Sequence, residues 1–130
     1  MQKFIHHLCI QTNHYQASLT FYELLGFIKV KETTDFHGRD YNTWLQLGES
    51  YIELQTGKKE LGTYQKEAEG IPHFCLYTDE LDQLLEELVA ANVPFLEKHG
   101  GKIYTVENGR LFKVKAPEGT IVEFRDTIII

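Results

Sequence analysis

His7-Leu8-Cys9-Ile10-Gln11-Thr12 returns later in the chain as His73-Phe74-Cys75-Leu76-Tyr77-Thr78, with His, Cys and Thr identical and the apolar positions kept. A second echo follows, Tyr51-Ile52-Glu53-Leu54 against Ile121-Val122-Glu123-Phe124. Each half therefore carries one His on an early strand and one Glu on a late strand. A metal site assembled from two copies of one module has this form.

Working outward, each half reads as strand, helix, then three strands. Phe4 to Gln11 is apolar-rich, and Asn13 offers an N-cap to a helix in which Ala17, Phe21, Leu24 and Leu25 recur at helical spacing until Gly26 stops it. Phe27 to Thr33, Tyr41 to Leu47 and Ser50 to Thr56 read as strands, with Asp35 to Asp40 a polar loop and Gly48-Glu49 a turn. Residues 58–70 have no sustained apolar period and read as a connector between modules 1–57 and 71–130. In the second half Ile71 to Tyr77 is a strand, and Asp79 or Glu80 opens a helix through Leu81, Leu84, Leu85, Leu88 and Val89. Val93 to Leu96 starts the next strand, Gly100-Gly101 bends, and Arg110 to Lys115 and Thr120 to Arg125 flank the turn Pro117-Glu118-Gly119. The fold class expected is α+β, two βαβββ modules forming a curved mixed sheet around a metal site.

With 130 residues, 42% hydrophobic and 25% charged, the composition is that of an ordinary soluble domain. A net charge of -6 argues against nucleic acid or an anionic membrane as partner, since both reward a basic face. No run approaches the length of a membrane span, and the first residues enter a strand pattern directly, so a cytoplasmic protein is expected. Cys9 and Cys75 lie inside apolar strand runs, which suits small buried thiols better than a disulfide framework. Their equivalent places leave a contact between them open.

Side chains alternate across a strand, so His7 shares a face with Cys9 and Gln11 while Leu8 and Ile10 point the other way. The same count sets His73 with Tyr77, Glu53 with Gln55, and Glu123 with Arg125. In all four strands the candidate ligand takes the more polar side, and His7, Glu53, His73 and Glu123 are expected to face a common hollow. Two imidazoles and two carboxylates suit a borderline divalent ion, Ni, Zn, Co, Mn or Fe(II), and leave coordination positions for a chelating substrate. Buried together without a cation, they would be costly. His6, His14, His37 and His99 have no repeat partner and read as surface or packing residues, and Trp44 as core.

On these residues the chain resembles the vicinal oxygen chelate superfamily, which includes glyoxalase I, extradiol dioxygenases, fosfomycin-resistance enzymes and bleomycin-binding proteins. The resemblance rests on Phe4-Ile5-His6-His7-Leu8, on Ser18-Leu19-Thr20-Phe21-Tyr22 leading to Leu25-Gly26-Phe27, and on Ala116-Pro117-Glu118-Gly119 before Ile121-Val122-Glu123-Phe124. The family usually has Asp where Ala116 stands. The resemblance implies paired βαβββ modules with His7, Glu53, His73 and Glu123 as metal positions. Glutamate at the second of these, Glu53, is similar to glyoxalase I, where two glutamates flank the metal and relay a proton between adjacent carbons.

The leading expectation is thus a metal-dependent lyase or isomerase of glyoxalase type acting on a small oxygen-chelating substrate, with Glu53 and Glu123 the catalytic carboxylates. Some bacterial relatives carry arginine and asparagine where this chain has Gln11 and Gly57, which counts against glutathione as the thiol. Two alternatives stand beside it: an Fe(II) dioxygenase with a His7, His73, Glu123 triad, and a non-enzymatic small-drug binding or resistance protein. Gln11, Tyr77, Lys113 and Arg125 are expected to line the substrate pocket, with Arg125 the anion contact. The apolar tail Ile128-Ile129-Ile130 and the paired modules lead us to expect a homodimer.

Overall fold

The structure, a computed structural model, describes residues 1–130. Its hydrogen bonding gives β1 (His7–Thr12), α1 (Tyr15–Leu24), β2 (Ile28–Phe36), β3 (Arg39–Leu47) and β4 (Ser50–Thr56). The order then repeats as β5 (Phe74–Tyr77), α2 (Leu81–Ala90), β6 (Tyr104–Val106), β7 (Gly109–Lys115) and β8 (Ile121–Arg125). The architecture is α+β, two βαβββ modules, and each module forms its own four-stranded mixed sheet, ordered β1-β4-β3-β2 and β5-β8-β7-β6. In each sheet the first strand runs parallel to the last, and the other pairs are antiparallel. A parallel pair needs a crossover, which the helix and the intervening strands provide. The chain divides into two compact units, Met1–Thr63 and Tyr64–Ile130.

Alternation assigns the core of each unit. In the first, Ile10, Leu45, Ile52 and Leu54 from the sheet meet Leu19, Phe21 and Tyr22 from α1, and all are buried. In the second, Phe112, Val114, Val122 and Phe124 bury the same face, with Leu81 and Leu88 from α2 also buried. Fully burying one such side chain contributes roughly 1.5–3 kcal/mol. The helix stripe differs from the one periodicity picks out: α1 buries Ser18, Leu19, Phe21 and Tyr22, while Ala17 and Leu24 are exposed. Ser18 escapes a hydrophobicity pattern because its hydroxyl is satisfied locally, 2.8 Å from that of Thr12. On α2, Val89 is likewise exposed.

Three other expectations are corrected. Asn13 is not the cap of α1; that place falls to His14, whose N–H donates to the Thr12 hydroxyl at 2.8 Å. Asn13 instead clamps the connector, donating to the Leu61 carbonyl and accepting from its N–H, both at 3.0 Å. The second module repeats the threonine device, with the Glu80 N–H on Thr78. The expected polar loop 35–40 contracts to a two-residue hairpin turn, because His37 and Gly38, at φ +48° and +82°, adopt the left-handed pair that matches strand twist.

The third correction bears on the site. Val93 to Leu96 does not begin a full strand. Only Phe95 bridges to Val114, with the Leu96 N–H donating to the Lys113 carbonyl and the Lys115 N–H to the Pro94 carbonyl. Pro94 has no N–H to give a ladder, which favours an interrupted edge. Where β2 runs nine residues along β3, the edge of the second sheet is thus broken between Leu96 and Tyr104.

Candidate metal and substrate site

In the first unit β1 and β4 are parallel with Cys9 opposite Glu53, which sets His7 and Glu53 on the sheet face away from α1. His7 Nε2 lies 3.6 Å from Glu53 Oε1. The other ring nitrogen, Nδ1, is 3.0 Å from Nδ1 of His6, so one ring donates and the other accepts. That contact leaves Nε2 as the nitrogen facing the carboxylate. Trp44 stands opposite Glu53 on β3 and meets the His7 ring edge-on at 4.8 Å, while His6 stacks on Tyr51 at 5.1 Å. Trp44 is therefore only half-buried and belongs to the site rather than the core, and His6 is the neighbour of His7 rather than an isolated surface residue.

The second unit repeats the pair. His73 Nε2 lies 3.4 Å from Glu123 Oε1, and Glu123 is buried. Here the surroundings are cationic: Lys113 Nζ is 3.9 Å from one carboxylate oxygen and Arg125 Nη1 is 3.6 Å from the other. Arg125 is itself fixed, because Nη2 donates to the Val106 carbonyl at 2.8 Å. Lys113 and Arg125 thus join the His73–Glu123 pair. Gln11 does not join His7 and Glu53 in the same way; its amide oxygen accepts from Arg39 Nη1 at 2.9 Å, and Arg39 also donates to the Thr56 carbonyl. Tyr77, at the end of β5, is exposed.

Both cysteines are free and exposed, not buried as their strand context led us to expect. They share the open face with the His and Glu side chains, which the helix does not cover. Local desolvation, then the charge of Glu53, pushes the Cys9 thiol up to about 11. Desolvation and a hydrogen bond with Glu123 push Cys75 up to about 12. In the metal-free protein both are therefore neutral thiols at physiological pH, and the paired donors in each unit are one imidazole nitrogen and one carboxylate oxygen. Two ligands each about 2.1 Å from one ion sit roughly 3–3.4 Å apart. The separations of 3.6 and 3.4 Å in the two units need little adjustment to meet that geometry.

The sequence pattern of the Glyoxalase/Bleomycin resistance protein/Dioxygenase superfamily matches residues 4–124. The chain belongs to this superfamily. Solved structures agree in fold. A glyoxalase family protein from Enterococcus faecalis is 21% identical, with TM-score 0.80 over 95% of this chain and 98% of that one. Lactoylglutathione lyase from Agrobacterium tumefaciens is 17% identical, with TM-score 0.71 over 96% and 94%. The fosfomycin resistance protein FosX from Listeria monocytogenes, solved with Mn(II) and sulfate, is 12% identical, with TM-score 0.75 over 99% and 96%. At these identities the likeness is one of fold. No curated protein matches the chain in sequence. No helix of this superfamily member is long and apolar enough to cross a membrane.

Sequence reasoning missed Arg39 and assigned Trp44 to the core. Strand parity offered a signal for Trp44, since it alternates with Thr43 and Leu45, which are buried on the helix side. Arg39 had none, because its contact with Gln11 depends on how the β2–β3 hairpin folds back.

Proposed function

We propose that the chain is a metal-dependent lyase or isomerase of glyoxalase type, acting on a small oxygen-chelating substrate by proton transfer through a glutamate. The observation that carries this reading is one His–Glu pair in each module, at 3.6 and 3.4 Å, on the sheet face that the helix leaves open. His7, Glu53, His73 and Glu123 would hold a divalent ion, Ni, Zn, Co, Mn or Fe(II), through a donor mixture suited to borderline metals. Such an ion polarises substrate oxygens and acidifies the neighbouring C–H.

The protein's own residues divide the remaining work. Glu53 has a single ion-pair partner, His7, against three for Glu123, which leaves its carboxylate the less constrained of the two to take a proton from one carbon and return it to the next. Glu123 is buried and held by His73, Lys113 and Arg125, which suits a fixed ligand. Trp44 and Tyr51 shield the His7 side with aromatic surface, while Arg125 and Lys113 offer positive charge. An Fe(II) oxygenase built on His7, His73 and Glu123 alone would leave the contact of Glu53 with His7 without a role.

The test is a screen of metal-loaded protein against 2-oxoaldehydes combined with glutathione and with other small thiols. Turnover of a hemithioacetal that is lost in Glu53→Gln supports the reading. Oxygen uptake with a catechol, or drug binding by metal-free protein without turnover, would replace it.

A further inference from the structure

We propose that the second unit carries a binding site for a tetrahedral oxyanion, a phosphate or phosphonate group on a small organic molecule, in the cavity at the break of its edge strand. The cavity is about 410 Å³ and is lined by Lys66, Leu96, Glu97, Lys98, Tyr104 and Lys113. Its origin is the interruption described above: Leu96 and Tyr104 both lie along β7, and the residues between them bulge away instead of closing the ladder. The first module has a continuous β2 in the equivalent place.

Charge gives the cavity its selectivity. Three lysines and one carboxylate line it, in a protein whose net charge is -6. The carboxylate is already engaged, since Glu97 pairs with Lys102 at 3.8 Å. Lys113 reaches toward Glu123, but neither Lys66 nor Lys98 takes part in any of the unit's ion pairs. The Lys98 ammonium instead lies over the Tyr104 ring, 5.5 Å from its centroid, which holds it at the cavity wall. Free ammonium groups on flexible stems bind phosphate as point charges. A volume of about 410 Å³ exceeds what a lone phosphate fills, so there is room for an organic remainder beside Leu96. As an anion site this needs no metal; as the recognition subsite for the substrate's charged end it rests on the reading of function above.

The experiment titrates inorganic phosphate, methylphosphonate and acetate into the full chain kept metal-free with chelator, followed by amide and tyrosine shifts in NMR. Saturable shifts at Tyr104 and Lys98 with phosphate and methylphosphonate are expected, with acetate at least tenfold weaker. The Lys66→Ala/Lys98→Ala double variant should weaken phosphate at least tenfold, whereas Lys58→Ala/Lys59→Ala, the same charge change in the first unit, should leave it within twofold. Equal weakening in both variants, equal affinity for acetate, or no saturable shift at Tyr104 would overturn the site. Because metal is excluded throughout, failure of metal binding leaves this result standing, and failure here leaves the metal reading standing.

Discussion

Trp44 and Lys113 occupy the same place in their respective modules, each directly across the sheet from that module's glutamate, Glu53 in one and Glu123 in the other. One repeat position thus gives the first His–Glu pair an aromatic neighbour and the second a cation. The duplicated residues set up the pairs, and the mismatched ones make their surroundings different.

The first consequence is a division of labour between the two glutamates. Glu53→Gln is expected to lower turnover by roughly 10²–10⁴-fold, the usual worth of a positioned proton-transfer group, while most of the bound metal remains. Glu123→Gln is expected to lose metal and activity together. Metal content by elemental analysis beside initial rates checks both; if Glu53→Gln keeps full turnover, the shuttle lies elsewhere.

The Asn13 clamp ties the first part of the connector, at Leu61, to the residue just before the cap of α1. Asn13→Ala should cost about 1 kcal/mol and raise amide hydrogen exchange at Leu61 and its neighbours, without changing exchange in β5 to β8. Unchanged protection at Leu61 would show that the clamp contributes nothing in solution.

Arg110 ties the start of α2 to the end of β8, with both guanidinium arms on Asp82 and Nε on Asp126 at 2.9 Å. Its hydrogen bonds hold the Asp82 carboxyl below the usual range, and in Asp126 they outweigh a desolvation that acts the other way. A carboxylate depressed on folding stabilises the fold above its unfolded value near 4 and loses that contribution as pH falls through the folded value. Arg110→Ala should therefore lower Tm at pH 7 by a margin that shrinks below pH 4 and in high salt, since Arg110 and Asp82 are exposed and Asp126 is only partly covered. A margin independent of pH would mean packing rather than charge is lost.

Much of this was legible in the sequence. His7 and Leu8, taken with Glu53 and Leu54, already told the polar face from the core face, because alternation is a local property of a strand. Ser50 to Thr56 and the Gly48-Glu49 turn came out at their observed bounds for the same reason. The less legible parts depend on contacts between distant segments. Asn13 reaches a carbonyl in the connector, Arg39 meets Gln11 across a hairpin, and the strand expected at Val93 to Leu96 breaks because β7 accepts it for only part of its length. The cysteines were misjudged because apolar neighbours in sequence do not cover the open face of a sheet.

Association is a further expectation. Ile128, Ile129 and Ile130 are exposed in the second unit and Phe4 and Ile5 in the first, apolar side chains of the kind a second copy would cover. Light scattering is expected to give twice the 15.1 kDa of one chain, and a mass of one chain at micromolar concentration would contradict it.

The most direct measurement is the stoichiometry of metal binding, by calorimetry and elemental analysis, for the protein, His7→Ala and His73→Ala, each checked for its fold by circular dichroism. One ion per chain, with affinity falling by at least a hundredfold in either variant, is the result expected if the pairs His7–Glu53 and His73–Glu123 together supply one site. Two ions per chain with one retained in each variant, or no binding of Ni, Co, Mn or Zn at all, would contradict it.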